Sequence, residues 1–180
     1  MTAWDIARSI MRDRYRRNFC LPNYTPRRWW ECDVFELTTA GYFREYEIKL
    51  TRSDFAVDAK KRRSLWNRGE QNVVEEKHAL LAAADPRGPT RFWYVTPAGL
   101  IAPAELPAWA GLIEVEPPRE HPYWWRLRRR EIVRAPTLHR EKLPEAKAEH
   151  ARSVLYWRLH TELLAMHPRS PAAEAQDTPA

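Results

Sequence analysis

The chain has 180 residues, 44% of them hydrophobic and nine of them tryptophan, which excludes a disordered polymer and is enough for one domain with a buried core. Its net charge of +6 favours an acidic partner, most simply nucleic acid. No apolar run is long enough to cross a bilayer, no signal-peptide core opens the chain, and Cys20 and Cys32 form no CxxC or Cys/His set, so a cytoplasmic protein with reduced thiols and no zinc site is expected.

Thr2 to Arg17 predicts an amphipathic helix, with Ala3, Trp4, Ala7, Ile10, Met11 and Tyr15 at helical spacing and Thr2 as N-cap ahead of Asp5. Its arginines read equally as a solvated face or as phosphate contacts. Residues 18–28, holding Pro22 and Pro26, predict an ordered loop.

Residues 31–50 then read as two strands turning near Ala40-Gly41. Period two sends Cys32, Val34, Tyr46, Ile48 and Leu50 to one face and Glu31, Asp33, Glu45, Glu47 and Lys49 to the other. A register centred on Ala40 opposes Asp33 to Glu47, Glu31 to Lys49 and Glu36 to Arg44. Asp33 and Glu47 are the one like-charged pair, which destabilises a sheet unless a cation sits between the carboxylates. Mg²⁺ suits such a place because it takes oxygen ligands from one or two carboxylates, with water and phosphate completing its shell. Lys49 falls on the same face, where its charge orients water or stabilises a transferring phosphate.

A helix from about Ser53 is expected to run into Lys60-Lys61-Arg62-Arg63. Those cations suit a helix C-terminus, and they equally suit a phosphate backbone. Residues 66–70 read as a loop and 72–84 as a helix whose apolar stripe Lys77 interrupts, with His78 a packed or surface residue rather than a ligand. Residues 91–95 and 111–115 predict buried strands, with a helical turn at 103–106 between them. From Pro117 the composition shifts. The run from Trp124 to Arg134 mixes aromatics with arginines, which fits base stacking with phosphate neutralisation or a charged edge strand. A helix from Pro144 places Ala148, Ala151, Leu155, Leu159, Leu163 and Met166 on one face, to pack on the sheet or on a second subunit, and the tail after Pro168 reads as disordered.

Asp33 on one strand followed by Glu47-Ile48-Lys49 on the next resembles the D…(D/E)-x-K signature of the PD-(D/E)XK phosphodiesterase superfamily. The segments 51–55 and 58–61 are also similar to those of MmcB-like DNA-repair proteins and related phage-borne proteins. The resemblance spans about residues 30 to 116. It implies an α/β fold of the restriction-endonuclease-like kind, a mixed central sheet flanked by helices, here with an additional C-terminal strand and helix. Taken with the composition shift at Pro117, it divides the chain into a nuclease core at 1–116, a basic strand and helix at 117–166 and a tail at 167–180. In that superfamily the acids hold Mg²⁺ or Mn²⁺, and the lysine assists the attacking water. Carried over, Asp33, Glu47 and Lys49 are catalytic, and Asp33, Glu47 and the Ile48 carbonyl ligate the metal. DNA is the expected partner, held by Arg52, Lys60, Lys61, Arg62, Arg63, Arg128 and Arg130, and a homodimer is expected where two strands are cut. Cys32 stands where the superfamily name has proline, and the first helix offers Asp5 and Asp13 where many members carry glutamate. That last departure motivates an alternative, a catalytically inactive DNA-binding or repair-accessory protein of the same fold.

Overall fold

The computed structural model describes residues 1–14, 17–65, 73–117 and 127–166. It divides into two units, residues 1–144 and residues 145–180. The first unit is built on a mixed sheet of six strands flanked by helices, the α/β arrangement expected.

Helix α1 (Ala3–Arg14) opens the chain. The Thr2 hydroxyl accepts the Asp5 N–H at 3.2 Å and the Asp5 carboxylate accepts the Thr2 N–H at 2.7 Å, a reciprocal cap that satisfies two end groups. Its buried stripe is Ile6, Ala7 and Ile10, while Trp4 remains 45% exposed, so the apolar face is rotated from the expected one. Residues 19–24, expected as loop, form strand β1 (Phe19–Tyr24). Pro22 is tolerated there because β1 lies at the sheet edge, where a missing N–H interrupts no second ladder.

Strands β2 (Cys32–Leu37) and β3 (Phe43–Ile48) pair antiparallel with Val34 opposite Tyr46, Phe35 opposite Glu45 and Glu36 opposite Arg44. This is the register predicted around Ala40. Gly41 makes the turn possible, with φ of +85° and its N–H on the Thr38 carbonyl at 2.9 Å.

Strand β6 (Arg91–Pro97) runs parallel to β3, and β7 (Ala110–Glu116) runs parallel to β6. Strand β8 (Arg128–Val133) closes the far edge antiparallel to β7, giving the order β1-β2-β3-β6-β7-β8. The described part of the arginine run therefore forms an edge strand. The short 3₁₀ turn at Pro103–Glu105 lies between β6 and β7.

Between β3 and β6 the chain departs most from expectation. Helix α2 (Arg52–Asp58) is capped by Thr51, whose side chain accepts the Asp54 N–H, and it ends before the basic cluster. Arg62 and Arg63 instead belong to β4 (Arg62–Leu65), paired with β5 (Val73–Glu76) in a separate two-stranded sheet. Among the described residues of the expected 72–84 helix, only Lys77–Ala82 is helical, as α3. The physical reason is cross-strand pairing: Arg62 opposes Glu76 and Arg63 opposes Glu75, each ion pair closing at 2.7 Å, and the adjacent valines prefer a pleated backbone. The expected loop at 66–70 and the segment Trp124-Trp125 lie outside the described residues.

The sheet is buried on both faces. Against α1 pack Val34, Tyr46, Ile48, Trp93, Val95, Ile113 and Val115. On the opposite face Phe35, Phe43, Phe92, Tyr94 and Leu112 are buried beside Glu45 and Glu47, with Trp29 and with Leu81 of α3. In the second unit α4 (Glu145–Met166) carries Leu155, Leu159, Leu163 and Met166 exposed, together with Tyr156, Trp157 and Leu164. The expected tail lies outside the described residues.

Candidate active site

The site grows from the end of β3, where the chain leaves the sheet. Glu47 sits beside Tyr94 of β6 in the parallel ladder, and Lys49 follows two residues later on the same face. Asp33, near the start of β2, accepts the Ile48 N–H on Oδ2 at 2.6 Å. Asp33, Glu47, Ile48 and Lys49 line one open cavity of about 350 Å³, together with Ser53, Asp54, Val57 and Asp58 of α2 and Lys61 just beyond it. The three residues singled out in the sequence therefore share a single wall.

Their surroundings are more charged and more buried than the strand pattern implied. Lys49 Nζ lies 2.9 Å from Glu47 Oε1 and 2.8 Å from Asp58 Oδ1. Lys61 Nζ bonds the same Glu47 oxygen and lies 2.9 Å from Asp58 Oδ1. From behind, Lys77 Nζ reaches Glu47 Oε2 at 2.8 Å and Glu45 Oε1 at 2.6 Å. Trp29 completes the chain of contacts by donating its indole N–H to Glu45 Oε2 at 2.7 Å. Asp58 is held on its other oxygen by the Tyr94 hydroxyl at 2.8 Å and by His78 Nε2 at 2.9 Å. Acids and amines thus alternate from Trp29 to His78, each facing an opposite charge and all but the partly exposed Lys61 largely desolvated.

This alternation sets the protonation states. Burial works to raise the Glu47 carboxyl, but the ammonium groups of Lys77, Lys49 and Lys61 hold it below the ordinary range. Asp58, also buried, is driven far below it by its bond to His78 and by Lys49, Lys61 and Lys77. Burial would lower Lys49, yet Glu47 and Asp58 raise it, so it stays an ammonium. Asp33 behaves in the opposite sense. Burial and the neighbouring Glu47 push its carboxyl up, against the Ile48 N–H and the lysines, as expected of an acid beside a like charge with too little compensation.

The predicted DNA-contacting residues divide. Lys61 belongs to the cavity, and Lys60 beside it is exposed. Arg52 bonds Glu105 and the Leu100 carbonyl, and Arg62 pairs with Glu76. Arg63 bonds the carbonyls of Trp29 and Arg28 as well as Glu75, and lies 4.6 Å from the Trp30 ring, so it ties the small sheet to the Trp29 loop. Arg128 and Arg130 are exposed on the far edge strand, Arg130 lying 3.6 Å from Glu114. The first-helix acids are engaged elsewhere, Asp5 with Thr2 and Asp13 with Arg129.

Asp58, Lys77, Glu45 and Trp29 were not singled out as site residues. Lys77 left one trace, a cation interrupting an apolar stripe, and it proves fully buried. Asp58 left none beyond the resemblance of segment 58–61, because nothing in Asp58-Ala59-Lys60-Lys61 distinguishes a buried carboxylate from a solvated one.

No family model and no curated protein matches this chain. A solved structure does: the SPO1766 protein of unknown function from Silicibacter pomeroyi has a similar fold, with 21% sequence identity and a TM-score of 0.57 over 93% of this chain and 92% of that one.

Proposed function

We propose that this protein is a metal-dependent nuclease of the PD-(D/E)XK kind, hydrolysing DNA phosphodiester bonds in repair, recombination or phage DNA processing. The observation that carries the reading is the convergence of Asp33, Glu47 and Lys49 on one open cavity, with Lys49 held as an ammonium against Glu47.

The donor set suits a hard cation. Asp33 and Glu47 offer carboxylate oxygens, the Ile48 backbone adds a carbonyl, and the elevated Asp33 carboxyl marks a repulsion that a divalent ion would relieve. Among the described residues no group of three or more His, Cys, Asp and Glu side chains could hold a metal. Under this proposal Mg²⁺ or Mn²⁺ would therefore be held by two carboxylates, with water and phosphate filling the remaining positions. Lys61, whose side chain is 32% exposed, is the ammonium nearest solvent on Glu47, and its charge stands where a cation is wanted. A bound ion would supply charge neutralisation at the phosphoryl oxygens and a more acidic water. Lys49, kept protonated, acts as an electrostatic stabiliser and water-orienting group rather than as a base. Lys60, Lys61, Arg128 and Arg130 offer positive charge to the phosphate backbone. A cytoplasmic setting belongs to the same proposal, supported by the free thiols of Cys20 and Cys32.

Asp33→Ala and Lys49→Ala should each abolish Mg²⁺-dependent cleavage of duplex or single-stranded DNA while the circular dichroism spectrum is retained; undiminished cleavage would remove the assignment. A second reading, a DNA-binding accessory protein without hydrolysis, is favoured by the saturation of Glu47 with lysines. Calorimetry separates the two, since that protein would bind DNA in a salt-sensitive way and take up no Mg²⁺.

A further inference from the structure

Asp58 is 1% exposed and ends a seven-residue helix, where the dipole already disfavours a negative charge. A buried carboxylate in such a place costs stability unless every lone pair is met. Here each oxygen takes two partners: Lys49 at 2.8 Å and Lys61 at 2.9 Å on Oδ1, and Tyr94 at 2.8 Å and His78 at 2.9 Å on Oδ2. The Oδ2 partners come from β6 and α3, so the carboxylate is fixed from the sheet and from the helix above it. The Oδ1 partners both line the cavity beside Asp33 and Glu47.

A lysine ammonium on a flexible stem is poorly localised by one acceptor, because its rotamers remain nearly degenerate. Glu47 alone would leave Lys49 free to swing about a single contact. Two acceptors on different elements, Glu47 on β3 and Asp58 on α2, define one position for its nitrogen.

Resting on the nuclease reading above, we propose that Asp58 is a positioning residue of the site, anchored by Tyr94 and His78, which aims the Lys49 and Lys61 ammonium groups into the cavity. Asp58 borders the cavity but is 1% exposed, with both its oxygens taken up by these four partners. It acts through the two lysines, and its contribution is orientation.

The test uses the full chain and proton–nitrogen correlation spectra of the lysine ammonium groups, which are visible only where hydrogen bonding slows their exchange. The Lys49 signal is identified by its loss in Lys49→Arg. Asp58→Asn keeps the side-chain shape and removes the charge; in it the Lys49 signal should vanish while that of buried Lys77 persists. With DNA and Mg²⁺, kcat should fall about 100-fold, the scale expected from misplacing a catalytic group, with KM little changed. An undisturbed Lys49 signal, or a wild-type kcat, in folded Asp58→Asn overturns the proposal. Should that variant not fold, Tyr94→Phe keeps the charge but loses one anchor. It should shift the Lys49 signal, and an unshifted signal there overturns the proposal equally. If the wild-type protein cleaves no DNA, the nuclease reading fails on its own, and the ammonium spectra still decide whether Asp58 holds the lysines.

Discussion

The two faces of the central sheet are made from the same strands and differ in what they bury. Toward α1 the core is chiefly aliphatic and aromatic, with Tyr46 stacked on Trp93 at 5.1 Å between ring centroids. Its fully buried carboxylate, Glu36, is met by the Asn18 amide and the Tyr46 hydroxyl. The opposite face inserts Glu45, Glu47, Lys77, Lys49 and Asp58 among Phe35, Phe92 and Tyr94. An ion pair taken out of water stabilises a fold little, and often less than apolar residues of the same size. The first face therefore holds the protein together, and the second spends part of that stability on charges set in fixed positions.

The sharpest way to break this contrast is Lys77→Met, which keeps the bulk and strands Glu45 and Glu47. Urea unfolding should show a loss of about 3–5 kcal/mol, as for other buried pairs deprived of one partner. Ile10→Val on the α1 face should cost only about 0.5–1.5 kcal/mol. Equal losses would mean that the buried charges are screened by water and that the faces do not differ in this way.

A smaller effect comes from two glycines, one serving each face. A Cβ at Gly111 would lie 2.6 Å from the Trp93 ring and 2.7 Å from the Ala135 nitrogen; one at Gly88 would lie 2.5 Å from the Trp29 ring. Alanine at either should cost about 1–3 kcal/mol of stability by overpacking. Only Gly88→Ala pushes on the indole that bonds Glu45, so under the nuclease proposal only it should lower cleavage; parallel losses of activity would erase the distinction.

A further contrast is a dependence on pH. Burial, then Glu36, pushes the Cys20 thiol up from 9.0 to about 12, against the pull of Arg14. The unfolded chain releases this proton near 9.0 while the folded chain keeps it to about 12. The native state thus binds more protons across that interval, and its stability falls as pH rises through it. Melting temperatures measured from pH 8 to pH 11 should decline less steeply in Cys20→Ser. Identical slopes would show that the thiol is hydrated in the folded protein.

The β2–β3 hairpin and its register were legible because alternation, a turn glycine and opposed charges such as Glu36 and Arg44 act between near neighbours in the chain. The strands over 91–95 and 111–115 were legible as short apolar runs. Three features escaped for separable reasons. Pro22 argued against a strand, and only its place at the sheet edge, a property of the finished fold, permits one. Val73–Glu76 falls within a longer apolar spacing that reads as helix, and its strand state depends on Arg62 and Arg63 across the ladder. Lys77 and Asp58 look like solvated charges until the elements carrying them close over Glu45 and Glu47. Of the site, the strand-borne acids and Lys49 could be read from local spacing. Their buried partners could not, because those lie far along the chain and meet them only in three dimensions.

Strands β3 and β6 are adjacent in space, yet residues 49–90 lie between them, and that connection carries Asp58, Lys61, Lys77 and His78. Joining such distant strands is slow relative to zipping a local hairpin, which implies a temporal order for assembly. The acids on β3 remain hydrated while β2 and β3 pair, and they lose their water only when the amines of the crossover arrive. Dehydration that comes after the rate-limiting barrier would keep Lys77 out of the folding nucleus. Truncating Lys77 should then accelerate unfolding and leave the refolding rate nearly unchanged, whereas a matching drop in refolding rate would place the amines in the nucleus.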